Sequence, residues 1–162
     1  MQGQDTEGLA QMRQGLAAVL ATGQALSRPL CPVLLAEAAG HAGEVEEGLR
    51  LLAEALAAFE ASQRGDMLTE VYRLQGEILL RQATPDAPRA EACFQQASAI
   101  ARRQQAKSWE LRAAMSLARL WQQQGRRAKA RDLLAPIYGW FTEGFDTADL
   151  QEAKALLEAL GR

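Results

Sequence analysis

The sequence predicts an all-α chain: a solenoid of antiparallel helix hairpins with a period of about 40–42 residues. Three observations carry that expectation. The first is composition. Ala, Leu, Gln, Arg and Glu make up well over half of the 162 residues, and these side chains lose least on entering a helix. Val, Ile and Thr together number only thirteen, too few β-branched residues to build a sheet. The second is an internal repeat. A small residue, a large apolar residue four on, and a small or apolar residue three further recur as Gly8-Met12-Gly15, Gly48-Leu52-Ala55, Ala90-Phe94-Ala97 and Ala130-Leu134-Ile137. The first members lie 40, 42 and 40 residues apart, and a second register, Ala36, Gly76 and Ala118, drifts by the same steps of 40 and 42. The third is punctuation. Gly43 and Gly125 each fall seven residues after a member of the second register, where a glycine past a helix end lets the chain fold back.

Eight helices follow in order, over 5–22, 28–42, 44–62, 66–82, 88–104, 107–124, 127–143 and 147–160. The first carries Gly8-Met12-Gly15, and the second is closed by Gly43. In the third, Leu49, Leu52, Leu56 and Phe59 keep to steps of three and four, and the acidic run Glu44-Val-Glu-Glu47 suits the positive end of its dipole. The fourth is expected to begin at Asp66, whose carboxylate can cap free N–H groups, and Thr84-Pro-Asp-Ala-Pro88 ends it. Pro88 is tolerable in the first turn of the fifth. The sixth shows Leu111, Ala114, Met115, Ala118 and Trp121 on one side. The seventh runs from the Gly125 turn to Gly144-Phe145-Asp146, with Asp146 capping the eighth. That last helix has Leu150, Ala153, Leu156, Leu157 and Leu160 on one side and Asp149, Glu152, Lys154 and Glu158 on the other. Residues 1–162 are thus expected to form one repeat domain, with 146–162 as its C-terminal capping helix.

A hairpin whose second helix has a small residue, Leu or Phe at +4 and Ala at +7 resembles the tetratricopeptide repeat. Leu117-Ala118-Arg-Leu-Trp121 fits the pattern of that family's first helix, and Tyr72 with Gly76 fits it in part. The period departs from the family's usual 34 residues. The resemblance implies a right-handed solenoid. Residues Ala90–Ala97, Ala101–Gly125 and Leu133–Asp146, with Leu35–Gly48 upstream, also resemble a C-terminal segment of large bacterial signalling proteins. Those proteins join an adenylate/guanylate cyclase domain, a STAND-type ATPase and a repeat tail. This implies a regulatory or sensor tail without cyclase or ATPase activity of its own.

The side chains offer little for catalysis. His41 is the only histidine, which excludes multi-histidine metal sites and a Ser-His-Asp constellation. No phosphate-cradling Gly-x-x-x-x-Gly-Lys-Ser/Thr loop occurs. No enzyme, cofactor, metal or small-molecule substrate is therefore expected. Cys31 and Cys93 follow no redox or metal spacing and read as buried free thiols. Trp109, Trp121 and Trp140 read as core. No apolar run is long enough to span a bilayer, and the start lacks a signal peptide, so the expected compartment is the cytoplasm.

Charge is unevenly placed. Residues 1–80 hold five basic and eleven acidic residues, a net −6, whereas 102–131 hold nine basic residues against Glu110, a net +8. Nucleic-acid binding by this basic segment is the alternative reading; no interleaved aromatic platform supports it. The favoured reading is a protein or peptide partner, including other domains of the same polypeptide. If the first helix of each hairpin lines a concave face, positions one and five after the crossing residue, and three and six before it, point into a groove. They are Val33, Glu37 and His41; Glu70, Arg73, Glu77 and Arg81; and Arg112, Met115, Arg119 and Gln123. This set runs from acidic to basic, which can orient a peptide of opposite polarity.

Overall fold

The computed structural model describes residues 2–22, 30–61, 65 and 67–162. Among them the chain is all-helical, with no strand: α1 (Gln2–Ala21), α2 (Leu30–Ala42), α3 (Val45–Ala61), α4 (Leu68–Leu80), α5 (Ala87–Arg103), α6 (Lys107–Gln123), α7 (Arg127–Tyr138) and α8 (Ala148–Leu160). Each helix packs on the next in sequence. The even-numbered helices also approach one another, α2 to α4, α4 to α6 and α6 to α8, while the backbones of α3, α5 and α7 stay apart. That asymmetry makes a helical repeat with an inner row of even helices and an outer row of odd ones.

The turns explain why the hairpins close. Glu44 N donates to Ala39 O, Ala106 N to Ala101 O and Arg126 N to Trp121 O, each at 2.8–2.9 Å. This six-residue closure satisfies carbonyls left over at a helix end. It requires a left-handed residue just before the donor. Gly43 (φ 83°) and Gly125 (φ 75°) supply it as expected, but in the α5–α6 turn the residue is Gln105 (φ 54°).

The small-residue register marks close crossings over most of the chain. Ala36, Ala55, Ala90, Ala97, Ala118 and Ala130 are fully buried, beside Leu52, Phe94 and Leu134. A Cβ added at Gly48 would stand 2.9 Å from Ile78 Cδ1 and 3.3 Å from the Ala36 carbonyl. One added at Gly76 would stand 2.5 Å from Phe94 Cε1. The first instance differs. Gly8 and Gly15 face open space, and Met12 is exposed. The pattern in α1 therefore marks no crossing among the described residues, because no described helix packs on that side of α1; Leu9 alone is buried among its described apolar side chains.

Two apolar clusters share α4 as a wall. Val71, Leu74 and Ile78 face Val33, Leu52, Ala55 and Phe59. Leu79 faces the larger cluster, which runs through Phe94, Leu111, Trp121 and Leu134 to Leu150, Leu156 and Leu160. At roughly 1.5–3 kcal/mol per large side chain removed from water, these clusters supply most of the drive to fold. The apolar side expected for the last helix is the one that packs, with Leu157 half-buried.

Two helix-end expectations need correction. α7 stops at Tyr138, not at 143, with Gly139 as its C-cap. Pro136 has no N–H to continue the ladder, and Trp140 and Phe141 close tight turns on Ile137 and Tyr138 carbonyls. Trp140 is consequently 58% exposed instead of core, while Trp121 is buried. Asp146 does not cap α8. Its N-cap is Thr147, whose hydroxyl donates to the Gly144 carbonyl at 2.7 Å rather than capping the helix. The aspartate that does cap is Asp86, accepting from Arg89 N at 3.1 Å with a proline in the first turn of α5. Asp66, the other expected cap, lies outside the described residues.

Candidate functional site

The inner row carries the candidate groove residues, and the structure divides them. Val33 and Met115 are buried in the apolar clusters. Glu70 and Arg73 are buried too, so these four do not line an open groove. Arg73 donates Nε and Nη2 to Glu70 at 2.8 and 2.6 Å and Nη1 to Glu77. Arg112 of α6 reaches Glu70 at 3.1 Å, and Ser116 donates its hydroxyl to Glu77 at 3.0 Å. The result is a charged network between α4 and α6, with Arg73 and Glu70 buried and Glu77 and Arg112 at its edge. Burial opposes the Arg73 charge, but the hydrogen bonds and charges of Glu70 and Glu77 outweigh it and hold the guanidinium above its ordinary pKa. The spacing rule found the right helices. It could not show that Arg112 of the neighbouring repeat draws Glu70 inward, and it did not single out Ser116.

The other members remain reachable. Glu37 is half-buried, and His41 is exposed at the end of α2. Glu77, Arg81, Arg119 and Gln123 converge on one cleft of about 200 Å³ between the C-terminal halves of α4 and α6. Leu80, Phe94 and Leu120 contribute apolar lining and Ser116 a hydroxyl. Arg81 is exposed as the C-cap of α4, its Nη1 3.3 Å from where a Cβ on Gly40 would stand. A side chain there would displace it. Arg119 is exposed and donates to Glu152 of α8 at 2.7 Å. Two cations over an apolar floor, with one carboxylate and two neutral polar groups, can hold a short acidic or mixed peptide segment.

Much of the basic segment is spent within the chain. Arg102 and Lys107 bind Glu110 at 2.8 and 2.7 Å, Arg126 binds Glu91 at 2.8 Å, and Arg112 and Arg119 are paired as above. Lys129 lies over the Trp121 ring at 4.1 Å, and Arg127 donates to the Ala159 carbonyl. The acidic N-terminal half and basic stretch are thus partly neutralised across repeats, as in Arg112–Glu70. Glu110 is buried, which raises a carboxylate pKa, yet hydrogen bonds and charges from Lys107 and Arg102 bring it below its usual value. Glu91 is also lowered, chiefly by its hydrogen bond from Arg126.

Cys31 is buried and Cys93 half-buried, both as free thiols, and burial pushes the Cys93 thiol pKa up. Among the described residues, no three His, Cys, Asp or Glu side chains gather to hold a metal ion. No described helix is long and apolar enough to cross a membrane. Comparison with protein-family models, with curated proteins and with solved structures finds no match for this chain.

Proposed function

We propose that this chain is a non-catalytic protein–protein interaction or scaffold module, the regulatory or sensor tail of a larger bacterial signalling ATPase/cyclase. Its partner is a protein or peptide, including other domains of the same polypeptide, and its setting is the cytoplasm. One observation carries the reading. Side chains from two successive inner helices, Glu77 and Arg81 of α4 with Arg119 and Gln123 of α6, share a single open cleft with an apolar floor. That arrangement suits recognition of an extended segment laid across the repeats. The carboxylates best placed by burial for acid–base work, Glu70 and Glu110, are each held by two cations, which favours a binding role over proton transfer. The tail assignment rests on the resemblance over 90–146.

The test uses the ATPase domain encoded in the same reading frame. Arg81→Glu together with Arg119→Gln should weaken its docking by about a hundredfold, two lost charge-assisted contacts at about tenfold each, with helicity unchanged. Undiminished docking would remove the cleft from the reading. A reading frame without an ATPase or cyclase domain would remove the tail assignment.

A further inference from the structure

A second cavity, of about 700 Å³, lies between the end of α5, the start of α6 and the segment after α7. The α4–α6 cleft sits toward the other end of α6, and the α6 residues that line the two are separated by roughly 16 Å of helix. The cavity is lined by Arg102, Gln105, Lys107, Glu110 and Trp140, and two unrelated observations mark it.

The first is Trp140, the most exposed of the large apolar side chains described. It is held in place: Phe141 meets it edge-on, centroids 5.3 Å apart at 87°, and the Lys107 ammonium stands 5.9 Å from its ring centroid. An ordered, wet indole costs apolar exposure and offers a flat surface for a ring. The second is Gln105. Two of the three equivalent turns use glycine in the left-handed conformation, but this one holds a glutamine at φ 54°. Glycine would relieve that strain, and only the turn bearing a side chain lines this cavity.

Charge selects the ligand. Arg102 and Lys107 share the buried carboxylate of Glu110, so two cations and one anion leave a single positive charge. One carboxylate balances it, whereas a nucleoside diphosphate or a nucleic-acid backbone brings an excess of negative charge. We propose that this cavity is a recognition site for an acidic peptide segment in which one carboxylate neighbours an aromatic side chain. The aromatic ring lies on Trp140, the carboxylate meets Lys107 and Arg102, and the Gln105 amide hydrogen-bonds the peptide backbone. This site does not depend on the α4–α6 cleft or on the tail assignment.

The three tryptophans give three indole N–H resonances, with Trp140 identified by Trp140→Phe. The probe is a capped tetrapeptide with aspartate followed by tyrosine. It should shift the Trp140 resonance saturably, and leave it about tenfold less responsive when asparagine replaces the aspartate, when alanine replaces the tyrosine, or in Lys107→Gln. Gln105→Gly should bind the peptide more weakly and melt at a higher temperature, a pairing that a merely structural glutamine would not produce. No shift of Trp140 at about 10 mM peptide, ten times the millimolar range of weak binding, would overturn the site. ADP or a short oligonucleotide binding more tightly than the peptide would overturn the choice of ligand, and Gln105→Gly binding like the parent chain would overturn the role of Gln105.

Discussion

α1 and the α4–α6 block use the same two devices with opposite results. In α1, Gly8 and Gly15 repeat the small-residue spacing but face open space, and Arg13 pairs with Glu44 while both remain about two-fifths exposed. In the middle of the chain, Ala90-Phe94-Ala97 has the same spacing and is fully buried, with the Phe94 ring against Gly76, and Arg73 and Glu70 are sealed from solvent. Identical patterns thus become a crossing or a bare face, and an ion pair becomes structural or incidental. The deciding factor is whether the next repeat covers them. A repeat contacts only its neighbours, so local sequence cannot report that neighbour's presence.

The contrast can be broken most forcefully at the ion pairs. Arg73→Ala leaves Glu70 buried without its main cation and should cost about 3–5 kcal/mol, whereas Arg13→Ala should cost well under about 1 kcal/mol. Urea melts of the two variants compare them directly, and equal midpoints would erase the distinction. Next come the glycines. Gly76→Leu must displace the buried Phe94 ring and should cost about 3 kcal/mol. Gly8→Ala, by contrast, should stabilise α1 by about 0.5–1 kcal/mol, the usual gain over glycine in an open helix interior. A pair of thermal melts shifted in the same direction would show that α1 is covered after all.

The smallest effect is a pH dependence. The Glu110 pKa is lowered in the folded chain from 4.5, with Lys107 and Arg102 outweighing burial. Its contribution is fully present above that ordinary value and is lost as pH falls through it and then through the folded value. Glu110→Gln should therefore flatten the loss of stability below about pH 4.5. Acid unfolding followed by circular dichroism measures the slope, and an unchanged slope would mean that the two cations do not hold Glu110 in solution.

The legible part of the fold was what repeats. Helix content, the Ala36–Gly76–Ala118 register and the Gly43 and Gly125 turns follow from composition and spacing, and the structure has them. What escaped was set by single departures from the repeat. Pro136 and Gly139 stop α7 early and turn Trp140 outward, though its spacing suited a core position. Gln105 takes a glycine's conformation with no local signature. Within the candidate groove, exposure depended on partners one repeat away. Glu70 is drawn in by Arg112, whereas Arg81 and Gln123 at the helix ends stay open. Helical spacing gives a side chain's direction but not the counter-charge waiting there.

The two-row layout has a mechanical consequence. The inner helices α4, α6 and α8 touch in series, while the backbones of α3, α5 and α7 are spaced apart. A load along the array therefore meets a stiff inner edge and a compliant outer one. Stretching or compressing the outer edge shifts the side-chain packing and the ion pairs between hairpins, such as Arg126–Glu91, and need break no helix. Many small rotations, one per hairpin, add up to a large displacement of the ends, in the manner of a leaf spring.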